Sequence, residues 1–281
     1  GHEVHYVAKD GISLIEGKVY FTTTKVIPQM VIHEPFRISG INYLSQDEIH
    51  AVFVRPDPPV DEQYLMNTWL LDHLPKHIPV INNPNGIRTV NEKIWSAQFT
   101  DITPATIISA NKSDLLNFIS KHKNIIAKPT NAFGGQSIFH IQQGHTNTHV
   151  ILETLSGGYS KSIKQKKYIP EARNGDKRIL LLNGELLGAV LRVHAKGEHR
   201  NNFYAGGKPM PTKVNNRDLH IIKTLKPHLK KLGLYFVGID ILGKYLIEVN
   251  VTSPSCLQEM NRLYNQRLEK KVIDFVEKLI K

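Results

Sequence analysis

Two short apolar strands near the C-terminus carry charge where charge is costly. Val237-Gly238-Ile239-Asp240-Ile241-Leu242 and Ile247-Glu248-Val249-Asn250-Val251 have the composition of buried strands, yet each holds a carboxylate. A carboxylate removed from water without a partner is strongly destabilising, so the fold must bring cations or a metal to these positions. Glu248 and Asn250 are two apart, which in a strand puts both side chains on one face. Two carboxylates and an amide oxygen form a hard-oxygen set suited to Mg²⁺ carrying a nucleotide's phosphates. The plainer alternative is that each acid pairs with an arginine or lysine and is purely structural.

Register decides whether one centre can use all three. A simple two-residue turn at Gly243-Lys244 sets Asp240 opposite Ile247 and sends Asp240 and Glu248 to opposite faces. A shared site requires an extra residue in the turn, as a three-residue loop or a G1-type bulge with Gly243 or its neighbour left-handed. Asp240 then faces Glu248, with Asn250 on the same side and Ile239, Ile241, Ile247 and Val249 on the core side.

Composition narrows the class further. At 281 residues the chain allows about two domains, each able to bury a core. Its single cysteine, Cys256, permits no internal disulfide and points to a reducing cytoplasm. No apolar stretch approaches the ~20 residues of a membrane span. The 36 basic and 25 acidic side chains leave a charge of +11, which favours anionic partners. The densest patch is Lys161, Lys164, Lys166 and Lys167. It reads as a solvated face near a strand, because single-stranded nucleic acid wants interleaved aromatics and only Tyr159 and Tyr168 are close. A basic nucleic-acid-binding protein without turnover is the alternative from another class.

Residues 1–88 read as αβ units of one domain. Glu3–Ala8 is a strand, Asp10-Gly11 a turn, and residues 12–24 short extended pieces around Glu16-Gly17. Ile49–Val54 is a buried strand ended by Arg55-Pro56-Asp57-Pro58-Pro59, and Asp61–Leu74 has helical spacing. Val80-Ile81 is a strand and Asn82–Gly86 a loop. Further on, helices are expected at 91–99, 113–122, 217–232 and 257–280, and strands at 106–108, 125–128, 137–141, 235–242 and 245–251. Lys177–Leu182 and Glu185–Arg192 form a hairpin across Asn183-Gly184, a type I′ signal, followed by a long polar loop over 193–211.

Walker A, GxGxxG, zinc-ligand and GxSxG patterns are all absent. What remains is a glycine loop between strands, Lys128-Pro129-Thr130-Asn131-Ala132-Phe133-Gly134-Gly135-Gln136-Ser137. Its backbone amides could wrap a triphosphate with Lys128 at the base, although a plain hairpin loop has the same composition. Arg178 and Arg200 are candidate phosphate clamps, since the guanidinium fork matches two oxygens.

These segments, in this order, resemble the ATP-grasp ligases, and within them the bacterial glutathione synthetase family. The resemblance runs through RPDPPVD (55–61), NEK (91–93), DITPAT (101–106) and AKPTNAFGGQSIF (127–139). It continues with YIPEARNGDKRILLLNGE (168–185), RNN (200–202), AGG (205–207) and GLYFVGIDILGKYLIEVNVTSPSC (233–256). It implies an α/β ATP-grasp fold, two α+β lobes gripping ATP. The small nucleotide lobe would cover about 106–166 and the catalytic lobe 167–281 of an ATP-grasp domain spanning 89–281. The αβ substrate domain over 1–88 would be shortened, because the family places a strand and helix before the segment matching Gly1–Tyr6.

The resemblance also implies the reaction: γ-glutamylcysteine, glycine and ATP give glutathione, ADP and phosphate through an acyl phosphate. ATP is then a co-substrate and Mg²⁺ the metal, with Mn²⁺ as the alternative ion. Lys93, Lys128, Gly134, Gly135 and Ser137 would meet the nucleotide. Lys167, Tyr168 and Ile169 would form the adenine edge, and Asp176 would lie near the ribose. Arg178, Arg200 and Asn202 would act at the reacting groups, the last two from a closing loop. Asp240, Glu248 and Asn250 would hold the metal. Arg55, Ser253 and Ser255 would hold the peptide substrate, with Ser255 and Gln258 at capping-box spacing for the final helix. No nucleic-acid or membrane partner is implied, and the family association is a homodimer or homotetramer.

Overall fold

The computed structural model describes residues 1–31, 33–130, 137–194 and 206–280. The first part contains β1 (Val4–Ile15), β2 (Lys18–Pro28), β3 (Phe36–Ser45), β4 (Val52–Phe53), α1 (Glu62–Leu71), β5 (Val80–Ile81) and α2 (Pro84–Thr89). The second contains β6 (Thr106–Ser109), α3 (Lys112–His122), β7 (Asn124–Pro129), β8 (Phe139–Gln142), α4 (Thr148–Ser156) and β9 (Ile163–Lys167). The third contains β10 (Asp176–Leu182), β11 (Glu185–Val193), β12 (Lys208–Met210), α5 (Asn216–Lys231), β13 (Phe236–Leu242), β14 (Tyr245–Asn250), α6 (Leu257–Tyr264) and α7 (Leu268–Ile280).

The first part departs from simple αβ units. β1, β2 and β3 form an antiparallel meander, and among the described residues only β4 and β5 pair in parallel, around α1. Glu16 and Gly17 both take positive φ, 49° and 82°, and turn β1 directly into β2. Asp10-Gly11 is no turn: it sits at the register shift between Val7 and Ile12, where the strand absorbs extra residues. Asn82–Gly86 is not a loop either. Asn83 accepts from the backbone N–H groups of Asn85 and Gly86, and Pro84 opens α2 at the position where a missing N–H is harmless.

An antiparallel sheet in the order β6-β9-β7-β8 carries α3 and α4 on one face. Asn111 caps α3 by accepting from Ser113 and Asp114, and Leu115 and Ile119, one turn apart, bury against Ile125, Ile141 and Ile163. An antiparallel sheet in the order β12-β11-β10-β13-β14 forms the rest. Its alternation feeds two cores. Ile179, Leu181, Ile239 and Val249 pack with α5 and with Phe21, Tyr64 and Ile87 of the first part, whereas Leu180, Val190 and Phe236 pack under α6 and α7. The β10–β11 hairpin turns at Asn183 and Gly184, with φ of 52° and 75°, as its Asn-Gly pair requires.

Two helices differ from expectation. Residues 91–99 form turns and a 3₁₀ segment, Trp95–Gln98, rather than a helix. The single terminal helix is two. α6 ends at left-handed Asn265, and the Asn261 amide accepts from Leu268 N–H at 2.9 Å while donating to Glu269 at 2.6 Å, which starts α7. The residue before α6 is Cys256, left-handed at φ 86° and without a side-chain cap bond, so the Ser255/Gln258 capping box does not form.

Asn82 ties the first part to the large sheet. Its amide donates to the carbonyls of Phe236 and Val251 at 2.8 and 2.7 Å and accepts from Phe236 N–H at 2.7 Å. Asn82→Leu strands three buried backbone groups, and a destabilisation of about 2–3 kcal/mol is expected by urea unfolding. A cost below the spread of ordinary surface substitutions would remove this tie from the account.

Candidate active site

The hairpin of β13 and β14 has the register the shared site needs, by a different device. Asp240 faces Glu248 and Gly238 faces Asn250, yet Leu242 still faces Tyr245 across a two-residue turn. The extra residue is Ile247, bulged one step above the turn between the pairs Ile241–Leu246 and Asp240–Glu248. Leu246 consequently takes the fully buried core position, and Ile247 does not.

Asp240 is nearly fully buried and held by two arginines. Arg178, its cross-strand neighbour on β10, donates from Nε at 2.5 Å and from Nη2 at 3.0 Å. Arg192 approaches Asp240 Oδ2 at 3.0 Å and also binds Asp176, its partner across β10 and β11, with Nε–Oδ1 at 3.1 Å. Burial would push the Asp240 carboxyl up, but Arg178 and then Arg192 outweigh it and hold it below the ordinary range. Asp176 goes the other way: burial dominates, and its carboxyl is pushed up despite Arg192. Gly175, at φ 97°, lets the chain enter β10 there, since a Cβ would stand 2.4 Å from the Arg192 carbonyl.

Glu248 receives the Lys128 ammonium, which comes from β7 of the four-stranded sheet. Burial alone would raise its carboxyl, but Lys128 and Lys93 hold it far below the usual range. Asn250 donates its amide N–H to the Gly238 carbonyl at 3.1 Å, which leaves its amide oxygen as the atom a cation could use.

A cleft of about 820 Å³ gathers this cluster. Its walls include Arg55, Lys93, Arg178, Asp240, Glu248, Asn250, Ser253 and Ser255 among the expected site residues. Arg55 donates to the Pro254 carbonyl at 3.0 Å and lies over the Phe236 ring, and Ser253 donates to Asp57 at 2.6 Å. Glu92 accepts from the N–H groups of Val251 and Thr252 and from the Thr252 hydroxyl, fixing the segment that follows β14 beside Lys93.

The remaining expected residues lie elsewhere. Lys167 is exposed at the end of β9, Tyr168 stacks on His140 with centroids 4.3 Å apart, and Ile169 is buried. Ser137 is exposed, with φ 54°. Gly134, Gly135, Arg200 and Asn202 lie outside the described residues. The basic patch needs correction: Lys161 and Lys167 are exposed, but Lys164 is fully buried and Lys166 only 5% exposed, so this is no solvated face.

Sequence reasoning missed Arg192, Glu92, Lys164 and Lys166. The signal for Arg192 was available: a charged residue inside the apolar run Gly188–Val193 poses the same burial problem that singled out Asp240. Among the described residues no cluster of three or more His, Cys, Asp or Glu stands ready for a metal. The donor set is instead two carboxylates and an amide oxygen on one sheet face, and its hard-oxygen chemistry fits a Mg²⁺-type ion.

Two layers of antiparallel sheet with a cation-rich, carboxylate-bearing cleft beside them define an ATP-grasp protein. The fold is shared with the crystal structure of D-cycloserine synthetase DcsG, at a TM-score of 0.64 and 14% identity over 84% of this chain and 86% of that one. Residues 1–88 match the prokaryotic glutathione synthetase N-terminal domain and residues 92–265 its ATP-grasp domain. Glutathione synthetase of Synechocystis sp. is 38% identical over 99% of this chain and 90% of its own length. That of Pseudomonas aeruginosa is 40% identical over 82% and 73%. The chain belongs to the prokaryotic glutathione synthetase family and is an ATP-dependent ligase that forms glutathione.

Proposed function

We propose that the cleft joins γ-glutamylcysteine to glycine through an acyl phosphate, with release of ADP and phosphate. The observation that carries this reading is the meeting of Asp240, Glu248 and Asn250 with Lys93 and Arg178 at one cleft, with Lys128 paired to Glu248 behind it. Mg²⁺ would be held by Asp240, Glu248 and Asn250, and when bound it would neutralise charge on the nucleotide's phosphates.

The rest is positioning by this chain's own groups. Lys93 and Lys128 bind the phosphates, and by the family resemblance Gly134, Gly135 and Ser137 would meet the nucleotide as well. Lys167, Tyr168 and Ile169 present the adenine edge, and Asp176 faces the ribose. Arg178 lies along Asp240, so its guanidinium is fixed in advance and stabilises charge on the transferred phosphoryl group without reorganising. Arg55, Ser253 and Ser255 hold the dipeptide so that its cysteinyl carboxylate can attack the γ-phosphorus of ATP, breaking its bond to the β-phosphate oxygen and releasing ADP. The glycine amine then attacks the acyl carbon, its proton passing to solvent or substrate, and phosphate leaves. By the family resemblance Arg200 and Asn202, which lie outside the described residues, would act at the reacting groups, where excluding water protects the acyl phosphate from hydrolysis.

We place residues 1–88 as the substrate domain, 106–166 as the small nucleotide lobe and 167–281 as the catalytic lobe of an ATP-grasp domain spanning 89–281. Self-association as a dimer or tetramer is supported by the outer apolar side chains of the meander, with Ile38 70% and Ile41 81% exposed. A reducing cytoplasm suits the lone buried thiol of Cys256 and a substrate that must keep its own thiol free.

Phosphate release should require γ-glutamylcysteine and glycine together, and chromatography should show ADP. AMP with pyrophosphate, or release driven by a different acid and amine, would overturn the assignment. Lys128→Ala should weaken ATP binding by about 1.5–3 kcal/mol, the worth of a charged hydrogen bond, as read by titration calorimetry. Unchanged affinity would take Lys128 out of the nucleotide site.

A further inference from the structure

Strand β9 carries two buried ammonium groups that the ligase reading leaves without a role. Lys164 is fully buried and Lys166 nearly so, and alternation sends both to the face opposite Ile163, which packs in the helix-covered core. Lys164 sits directly across from Lys128 on β7, and Lys166 across from Ile126. Three ammonium groups therefore line one sheet face, and each reaches out of its own sheet. Lys128 binds the Glu248 carboxylate, Lys164 donates to the Lys93 carbonyl, and Lys166 donates to the carbonyl of Ile247, the bulged residue beside Glu248.

Among the described residues the charge does not balance. Lys128, Lys166 and Lys93 act on Lys164, Lys164 and Lys128 act on Lys166, and Glu248 is the carboxylate seen to act on both β9 lysines. Burial, reinforced by Lys128 and the other lysine charges, lowers the Lys164 ammonium to about 8 and Lys166 well below its ordinary range. If these side chains served only packing, apolar residues would do better, since replacing buried charge by well-packed apolar groups is often neutral or stabilising.

We propose that Lys164 and Lys166 are positioning residues of the nucleotide site, holding the Lys93 main chain and the Ile247 bulge beside Glu248 from the four-stranded sheet, and that the bound polyphosphate supplies the negative charge their cluster lacks. The inference rests on the ligase reading. Its two arms differ: Lys164 sets the phosphate-binding Lys93, whereas Lys166 sets the register that presents Glu248.

The test compares Lys164→Met and Lys166→Met with the parent chain by thermal unfolding without nucleotide and by MgATP titration calorimetry at several Mg²⁺ concentrations. Both variants should unfold at the parent's temperature or above it, yet bind MgATP about tenfold more weakly. Lys166→Met should also need severalfold more Mg²⁺ for half-maximal ATP affinity, and Lys164→Met should not. Should either fail to fold, Lys164→Gln or Lys166→Gln carries the same readouts. Parent-like MgATP affinity in both variants, or losses that only follow a lowered unfolding temperature, would overturn the proposal and leave the ligase reading standing. A parent chain that binds no MgATP would overturn both.

Discussion

Glu248→Gln is expected to lower kcat by on the order of 10³ while the chain remains folded. The two side chains have nearly the same shape, so the loss is one of charge. In the native protein Lys128 and Lys93 keep this carboxylate ionised against the burial that opposes it. A neutral amide is a poor ligand for a hard divalent cation and gives Lys128 no counter-charge. The fold should lose about 2 kcal/mol at neutral pH, the worth of one charge-assisted hydrogen bond. The pH dependence has a definite sign. Because the folded-state pKa of Glu248 is depressed, its stabilisation is present above the unfolded carboxyl pKa and fades as pH falls through the folded one. The stability gap between parent and variant should narrow progressively below about pH 4. Phosphate release against Mg²⁺ concentration reads the first effect, and unfolding midpoints across pH read the second. Near-parental ligation at ordinary Mg²⁺ would dismiss Glu248 as a metal ligand.

The strongest sequence signals were those in which a residue type conflicts with its neighbours. Asp240 and Glu248 announced themselves because acids do not belong in apolar strands without compensation, and Asn183-Gly184 because it prefers one turn. A shared metal site required Asp240 and Glu248 to share a face, and they do. The device stayed hidden because a bulge at Ile247 and a bulge at Gly243 give the same pairing upstream, and local composition does not choose between them. β3 was not legible because most of its residues, Ile38, Ile41 and Tyr43 included, are exposed, so it lacks the alternation that marks a half-buried strand. The lysines of β9 misled for the opposite reason. A run of like charge ordinarily means solvent, and only the carbonyls of Lys93 and Ile247, with the Glu248 carboxylate nearby, make their burial tolerable.

Arg192→Leu should be the most destabilising substitution in the site, at about 3–5 kcal/mol near pH 8, because removing one member of a buried charge network leaves the others uncompensated. Arg192 is only 4% exposed and serves two carboxylates, Asp176 and Asp240. Burial opposes its charge, but Asp240 and Asp176 more than offset this and raise its pKa further. After substitution Arg178 still binds Asp240, whereas Asp176 loses the group whose attraction and hydrogen bonds work against its burial. Asp176 is already the carboxyl in this cluster with a raised pKa, so in the variant it relieves the strain by taking up a proton. Folded variant then binds more protons than unfolded variant, and its stability falls as pH rises through that window. The deficit relative to the parent should accordingly be large at pH 8 and distinctly smaller near pH 5. Urea unfolding at the two pH values measures it, with equal slopes showing that the unfolded states are comparable. A deficit that is the same at both would mean that Arg192 matters through packing alone, and its charge would no longer explain how the Asp176 carboxylate is held beside an apolar core.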